Sequence, residues 1–172
     1  MAKTKLPIIG ITMGDPTGVG PEIIVKVLSQ ESTFRFCHPV IFGDKNILER
    51  AIQLINTPLQ VNEIETIAEK NLQTGALNLL PLSSIPLDKA EYGNPTKACG
   101  EGMVTYVKEA VKCASSGVID AITTAPISKK AMSDAGYTYP GHTELLAELT
   151  GSTDYVMMLA GEKLKVVLVT IH

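Results

Sequence analysis

The sequence predicts an α/β protein with a largely parallel sheet covered by helices. Three observations carry this expectation. Hydrophobic residues make up 45% of the 172 positions, yet aromatics are only 5% and Trp is absent. That mix suits a Val, Ile, Leu and Ala core of sheet plus helix better than an all-β sandwich. Short apolar runs alternate with stretches of helical spacing, as strands covered on both faces and their crossover helices do. Turns rich in Gly, Pro and Asp stand where the apolar runs stop.

The elements follow in order. LPIIGITM, residues 6–13, is a near-continuous apolar run and reads as a buried strand. From Pro21, Ile23, Ile24, Val27 and Leu28 keep a helical spacing, with proline in the favoured first turn. PVIFGD, 39–44, reads as a second strand, and the helix after it places Ile47, Leu48, Ala51, Ile52 and Ile55 on one face. LNLLPL, 77–82, is a further short strand. Residues 83–97, SSIPLDKAEYGNPTK, form the one long loop, and loops of that length are usually functional or mobile. A helix then carries Val104, Val107, Val111 and Ala114 on a stripe. VIDAITTAP, 118–126, is a strand ending in a turn, and a short helix over 128–135 stops at Gly136. The turn YTYPGHT leads to a helix with Leu145, Leu146 and Leu149, for which Thr143 is the expected N-cap. Two adjacent strands, YVMMLA and KVVLVTIH, come last and suggest one antiparallel pair. The final strand closes on His172 with no cap or following helix, so the sequence is expected to be a fragment.

Composition also narrows function. A net charge of −3 with scattered lysines argues against nucleic acid as the main partner. No apolar run approaches the roughly 18 residues of a membrane span. The basic, then apolar start leads into a Gly-Asp-Pro turn instead of a cleavage site, so it reads as the first strand of a cytoplasmic protein. Cys37, Cys99 and Cys113 show no Cys-x-x-Cys spacing, which implies neither a disulfide framework nor a zinc knuckle.

Ligands of open α/β sheets bind beyond the carboxyl ends of the strands. Four stretches fall there: 14–20, 123–129, 141–143 and His172. The first, GDPTGVG, runs into a helix start, so its backbone N–H groups suit an anion. Its spacing is neither G-x-G-x-x-G nor a phosphate loop. Glycines for tight strand-to-helix packing, with Asp15 capping a turn, explain it equally well. Lys129 can hold a phosphate or carboxylate near a strand end; a solvated lysine in a first helical turn is the plainer reading. His142, beside a helix start, can meet an anion or move a proton, against the alternative of a turn histidine in water. His172 ends an apolar strand, a good place for a metal ligand, but one imidazole makes no site. His38, before Pro39, reads as solvated.

GDPTGVGPE (14–22), TAPISK (124–129) and GHTE (141–144), followed by VVLVTIH, resemble in order and spacing the 4-hydroxythreonine-4-phosphate dehydrogenase family of vitamin B6 biosynthesis. The likeness covers nearly the whole chain and corresponds to the family's N-terminal half. It implies a two-lobed α/β fold similar to isocitrate and isopropylmalate dehydrogenases, of which this is about the first half. Residues 1–138 would form an N-terminal α/β lobe and 139–172 the start of a second, truncated lobe. The resemblance implies substrate binding by His142 and Thr143, with Asp15 and Lys129 as weaker candidates for the cleft rim. It implies His172 as one metal ligand, the others lying beyond residue 172, in a site completed across a homodimer. The implied cofactors are NAD or NADP and a divalent metal (Zn, Mg or Co). The implied reaction oxidises 4-phosphohydroxy-L-threonine to a β-keto acid that decarboxylates to 3-amino-2-oxopropyl phosphate. Related enzymes acting on threonate or erythronate 4-phosphate, or on a cis-dihydrodiol, share these motifs. A truncated lobe that binds without turnover is the reading of a different class.

Overall fold

A computed structural model describes residues 5–168. Five strands form one parallel sheet: β1 (Ile8–Thr12), β2 (His38–Asp44), β3 (Val61–Glu63), β4 (Leu77–Ser83) and β5 (Ala121–Thr124), in the order β3-β4-β2-β1-β5. The helices are α1 (Gly20–Leu28), α2 (Lys45–Ile55), α3 (Lys97–Ser115), α4 (Lys129–Asp134) and α5 (His142–Thr150). β6 (Met157–Ala160) and β7 (Lys165–Leu168) pair antiparallel in a separate two-stranded sheet. The alternating pattern and the terminal antiparallel pair are both present, and the α/β class is as expected.

Register shows which face each helix covers. Ile11 pairs with Thr123 and Gly10 with Ile122, so successive residues of β1 and β5 point to opposite faces. α1 lies over the face of Ile11 and Thr123, where Ile23, Ile24, Val27 and Leu28 line an apolar groove of about 170 Å³. α2 packs beside α1. α3 covers the other face, since Val107 and Val111 cluster with Ile122 and with Leu145 of α5. α4 seats Ala131 and Met132 against Met103 and Val104 of α3. The main core lies between the sheet and α1, α2 and α3, and includes Val40, Ile41, Phe42, Ile47, Leu77 and Leu79.

Two readings are corrected. α5 begins at His142 with Gly141 as N-cap, and Thr143 is its second residue, not its cap. Leu145 must face Val107 and Val111, and its N–H bonds to Gly141 O at 3.4 Å, which sets the start two residues earlier. β3 is a strand beyond those expected, and its three residues carry no apolar run.

Beneath the carboxyl end of the sheet lies a buried polar network. Asp44 is fully buried and caps α2 by accepting from Ile47 N. Its other oxygen accepts from Ser83 Oγ and Ile85 N, both at 2.7 Å. Ser83 Oγ in turn meets the Tyr106 hydroxyl. Burial pushes the Tyr106 phenol well above its ordinary range, so it stays protonated and can donate. Every polar atom named here has a partner, which is the condition for keeping such a network inside a core. No helix among the described residues is long and apolar enough to cross a membrane.

Candidate functional site

Chain direction makes one place on the sheet special. From β1 the chain leaves through α1 on one face, while from β5 it leaves toward α4, on the α3 side. Neighbouring strands whose connections diverge to opposite faces create the crevice where open α/β sheets bind ligands. Here that switch point lies between β1 and β5, and two of the quoted motifs meet there.

The Gly14–Gly20 turn is held against the turn after β5. Ala125 N donates to Thr12 O at 3.0 Å, and Asp15 N donates to Pro126 O at 2.9 Å. Gly14 has φ +73°, and a Cβ there would stand 2.3 Å from Pro126 O. At Gly20 an added Cβ would come within 2.4 Å of Met13 O. Both glycines are therefore required by close backbone approach, as the tight-packing alternative expected. Asp15 Oδ1 accepts from Thr17 N and Thr17 Oγ1, each at 2.8 Å, and Gly18 N bonds to Asp15 O. This is an Asx turn that shapes the loop from inside. Asp15 is a buried turn-former; its carboxylate faces Thr17.

The remaining candidates divide between two elements. Lys129 is the exposed first residue of α4, capped by Ser128, whose Oγ accepts from Ala131 N at 3.2 Å. It follows Pro126, whose carbonyl accepts from Asp15 N, by three residues. His142 and Thr143 open α5, and both are half-buried. Tyr139 packs against both the α4 cluster and the α5 cluster, and its hydroxyl donates to Glu148 at 2.7 Å. The turn before His142 thus bridges the two helices. No described hydrogen bond joins His142 to Asp15 or Lys129. His172 lies outside the described residues.

His142 carries the chemically open group. Its Nε2 is buried and has no hydrogen-bond partner among the described residues, which leaves it to be paired by a ligand. Burial lowers its pKa below the ordinary 6.5. The imidazole is thus neutral at pH 7 and able to accept a proton. Above 6.5 it is neutral in folded and unfolded chains alike. As pH falls below 6.5 the unfolded chain binds the proton first, and stability is lost down to the native pKa. An NMR titration should place the His142 midpoint below 6.5, and His142→Gln should remove its share of the acid loss. A midpoint at or above 6.5 would show the ring open to water.

Among the described residues no three His, Cys, Asp or Glu side chains gather closely enough to hold a metal ion. The one ligand that the resemblance implies within this chain, His172, is not among those residues. Sequence reasoning missed Arg50. Its guanidinium donates to Ala90 O and, at 2.7 Å, to Pro16 O inside the Gly-rich turn. An arginine within a helix gives no sign in the sequence of such distant acceptors.

Comparison with known proteins matches the family described as "Pyridoxal phosphate biosynthetic protein PdxA" over residues 35–172. The chain belongs to the PdxA family. It is 46% identical, over 98% of its length, to the 4-hydroxythreonine-4-phosphate dehydrogenase of Trichlorobacter lovleyi, covering 51% of that protein. It is 42% identical to the D-threonate 4-phosphate dehydrogenase of Cupriavidus necator, over 97% of this chain and 50% of that one. The crystal structure of a 4-hydroxythreonine-4-phosphate dehydrogenase from Burkholderia phymatum superposes with a TM-score of 0.89 at 42% identity, over 95% of this chain and 49% of that one. The chain thus spans about half the length of the PdxA-family proteins it matches.

Proposed function

We propose that the protein, together with the second half found in its relatives, is an NAD(P)⁺-dependent dehydrogenase acting on 4-phosphohydroxy-L-threonine. The observation that carries this reading is the 46% identity, across almost the entire chain, to a 4-hydroxythreonine-4-phosphate dehydrogenase. The position of the motifs at the β1/β5 switch point supports it. In the proposed reaction the substrate's secondary alcohol is oxidised by two electrons, losing a hydride to the nicotinamide and a proton from its hydroxyl. The resulting β-keto acid then loses CO₂ to give 3-amino-2-oxopropyl phosphate. A bound nicotinamide dinucleotide supplies the hydride acceptor.

This chain's own residues bind and orient. His142, neutral and with Nε2 unpaired among the described residues, would accept a hydrogen bond or proton from the substrate, with Thr143 beside it as a donor. Lys129 would lie at the rim, where its ammonium can meet the substrate's anionic groups. Residues 139–172 would open the second lobe. The exposed apolar side chains of β6 and β7, among them Met157, Leu159, Val166 and Val167, support that assignment because they would find cover in a completed lobe. His172 would give one nitrogen to a divalent metal whose other ligands come from outside this chain, in a site shared across a homodimer.

A second reading, oxidation of D-threonate 4-phosphate, is favoured by the 42% identity to the Cupriavidus necator enzyme. Nicotinamide reduction by the full-length protein with each substrate decides between them. Turnover of hydroxythreonine phosphate, with kcat/KM at least about tenfold above that for threonate phosphate, is the expected result. The reverse order would replace the first reading with the second. Metal content and sedimentation belong to the same experiment. Full metal occupancy in His172→Ala would remove His172 as a ligand, and a monomeric active enzyme would remove the shared site.

A further inference from the structure

We infer that Arg50 is a positioning residue that makes the 84–96 loop a fixed wall of the cleft, not a moving lid. The inference rests on reading the carboxyl end of the sheet as the site. The loop follows β4 and therefore stands at that end, on the same side as the Gly14–Gly20 turn. Its length alone suggested a functional or mobile segment.

The structure ties it down at several points between its two ends. Ile85 N donates to Asp44, and Ile85 O accepts from Asn46 Nδ2 at 3.3 Å. Lys89 O accepts from Thr96 Oγ1 at 3.1 Å. Ile85 and Ala90 are buried. At the loop's far side, Gly93 N donates to Thr17 O at 2.9 Å, a direct bond to the Gly-rich turn.

Arg50 joins the two segments from below. One terminal nitrogen donates to Ala90 O in the loop and the other to Pro16 O in the turn. The guanidinium carbon stands 4.2 Å from the centre of the Tyr92 ring, so the loop also covers the cation. A planar fork with several fixed donors can address two carbonyls on different segments at once, whereas a lysine ammonium is a single point. Arg50 Nε is buried and has no partner among the described residues, so the polar contacts that orient the side chain there are those to the loop and the turn. With a backbone carbonyl on each terminal nitrogen and the Tyr92 ring over its face, the guanidinium acts on the cleft through the backbone it holds. On the opposite side the same turn is bonded to Pro126. The wall is thus continuous from the 84–96 loop, through the Gly-rich turn, to the turn before α4.

The test uses the full-length protein with Arg50→Lys and, to loosen the loop without touching α2, Tyr92→Leu. Limited trypsin digestion reads cleavage after Lys89, which is exposed within the loop. The thermal midpoint, kcat and both KM values are read in parallel. Arg50→Lys should speed cleavage after Lys89 by about tenfold and raise KM more than it lowers kcat, with the fold retained. Tyr92→Leu should move both readouts in the same direction by less. Cleavage at the wild-type rate in both variants would overturn the clamp. Faster cleavage with unchanged KM values would overturn the link to the cleft and leave a purely structural residue. Absence of turnover by the wild type on any substrate would sink the dehydrogenase reading instead, with cleavage still deciding whether Arg50 holds the loop.

Discussion

Asp44→Ala is expected to lower stability by about 4 kcal/mol, because three donors lose their acceptor while each unpaired buried donor costs on the order of 1–3 kcal/mol. The donors are Ile47 N, Ser83 Oγ and Ile85 N, drawn from the α2 cap, the end of β4 and the start of the 84–96 loop. Losing them together should uncouple that loop from the sheet before the core itself fails. Asp44→Asn keeps the volume and one acceptor but turns an amide N–H₂ toward two donors, so it should recover only part of the loss. Tyr106→Phe, which removes one partner of Ser83, should cost about 1 kcal/mol. Urea unfolding measures all three. A loss under about 1 kcal/mol for Asp44→Ala would mean that water reaches the stranded donors, contrary to a site with no solvent exposure.

Gly14→Ala should be nearly as costly, about 3 kcal/mol, and should damage the site as well as the fold. A left-handed φ penalises any L side chain by roughly 1–2 kcal/mol. The remainder comes from forcing apart two backbones. The new methyl would stand 2.3 Å from Pro126 O and 2.9 Å from Ala125 O, and neither is the end of a flexible side chain. Relief requires breaking the Asp15 N–Pro126 O bond and opening the β1/β5 switch point. Activity of the full-length protein should fall at least about tenfold, with KM rising. Gly18→Ala is the matched control, since its added Cβ would meet only atoms of Asp15, the nearest at 3.4 Å. Similar behaviour of the two variants would refute close backbone approach as the reason for Gly14.

Much of the fold was legible because its signals are local. β1, β2 and β4 fall within a residue or two of apolar runs, and α1, α2 and α3 sit on the expected periodic stripes. The misses share a cause. β3 is an edge strand of three half-exposed or exposed residues, defined by its register with β4 and not by its own composition. Thr143 has the chemistry of an N-cap, yet the packing of Leu145 on α3 fixed the helix start at His142. The candidate site was half legible. Its motifs announced which turns to watch and which family they resemble, but Asp15 and Arg50 were not interpretable in isolation.

The sequence by itself determined the alternation of strands and helices, the glycine-rich turn before α1 and the kinship carried by three short motifs. Each of these is written in neighbouring residues. Only the tertiary structure decided that Gly14 and Gly20 serve backbone contact, that Asp15 shapes its own turn, and that Arg50 joins two loops. The physical reason is distance along the chain. Arg50 reaches acceptors 34 and 40 residues away, and those carbonyls come within reach only after β1, α2 and β4 have packed.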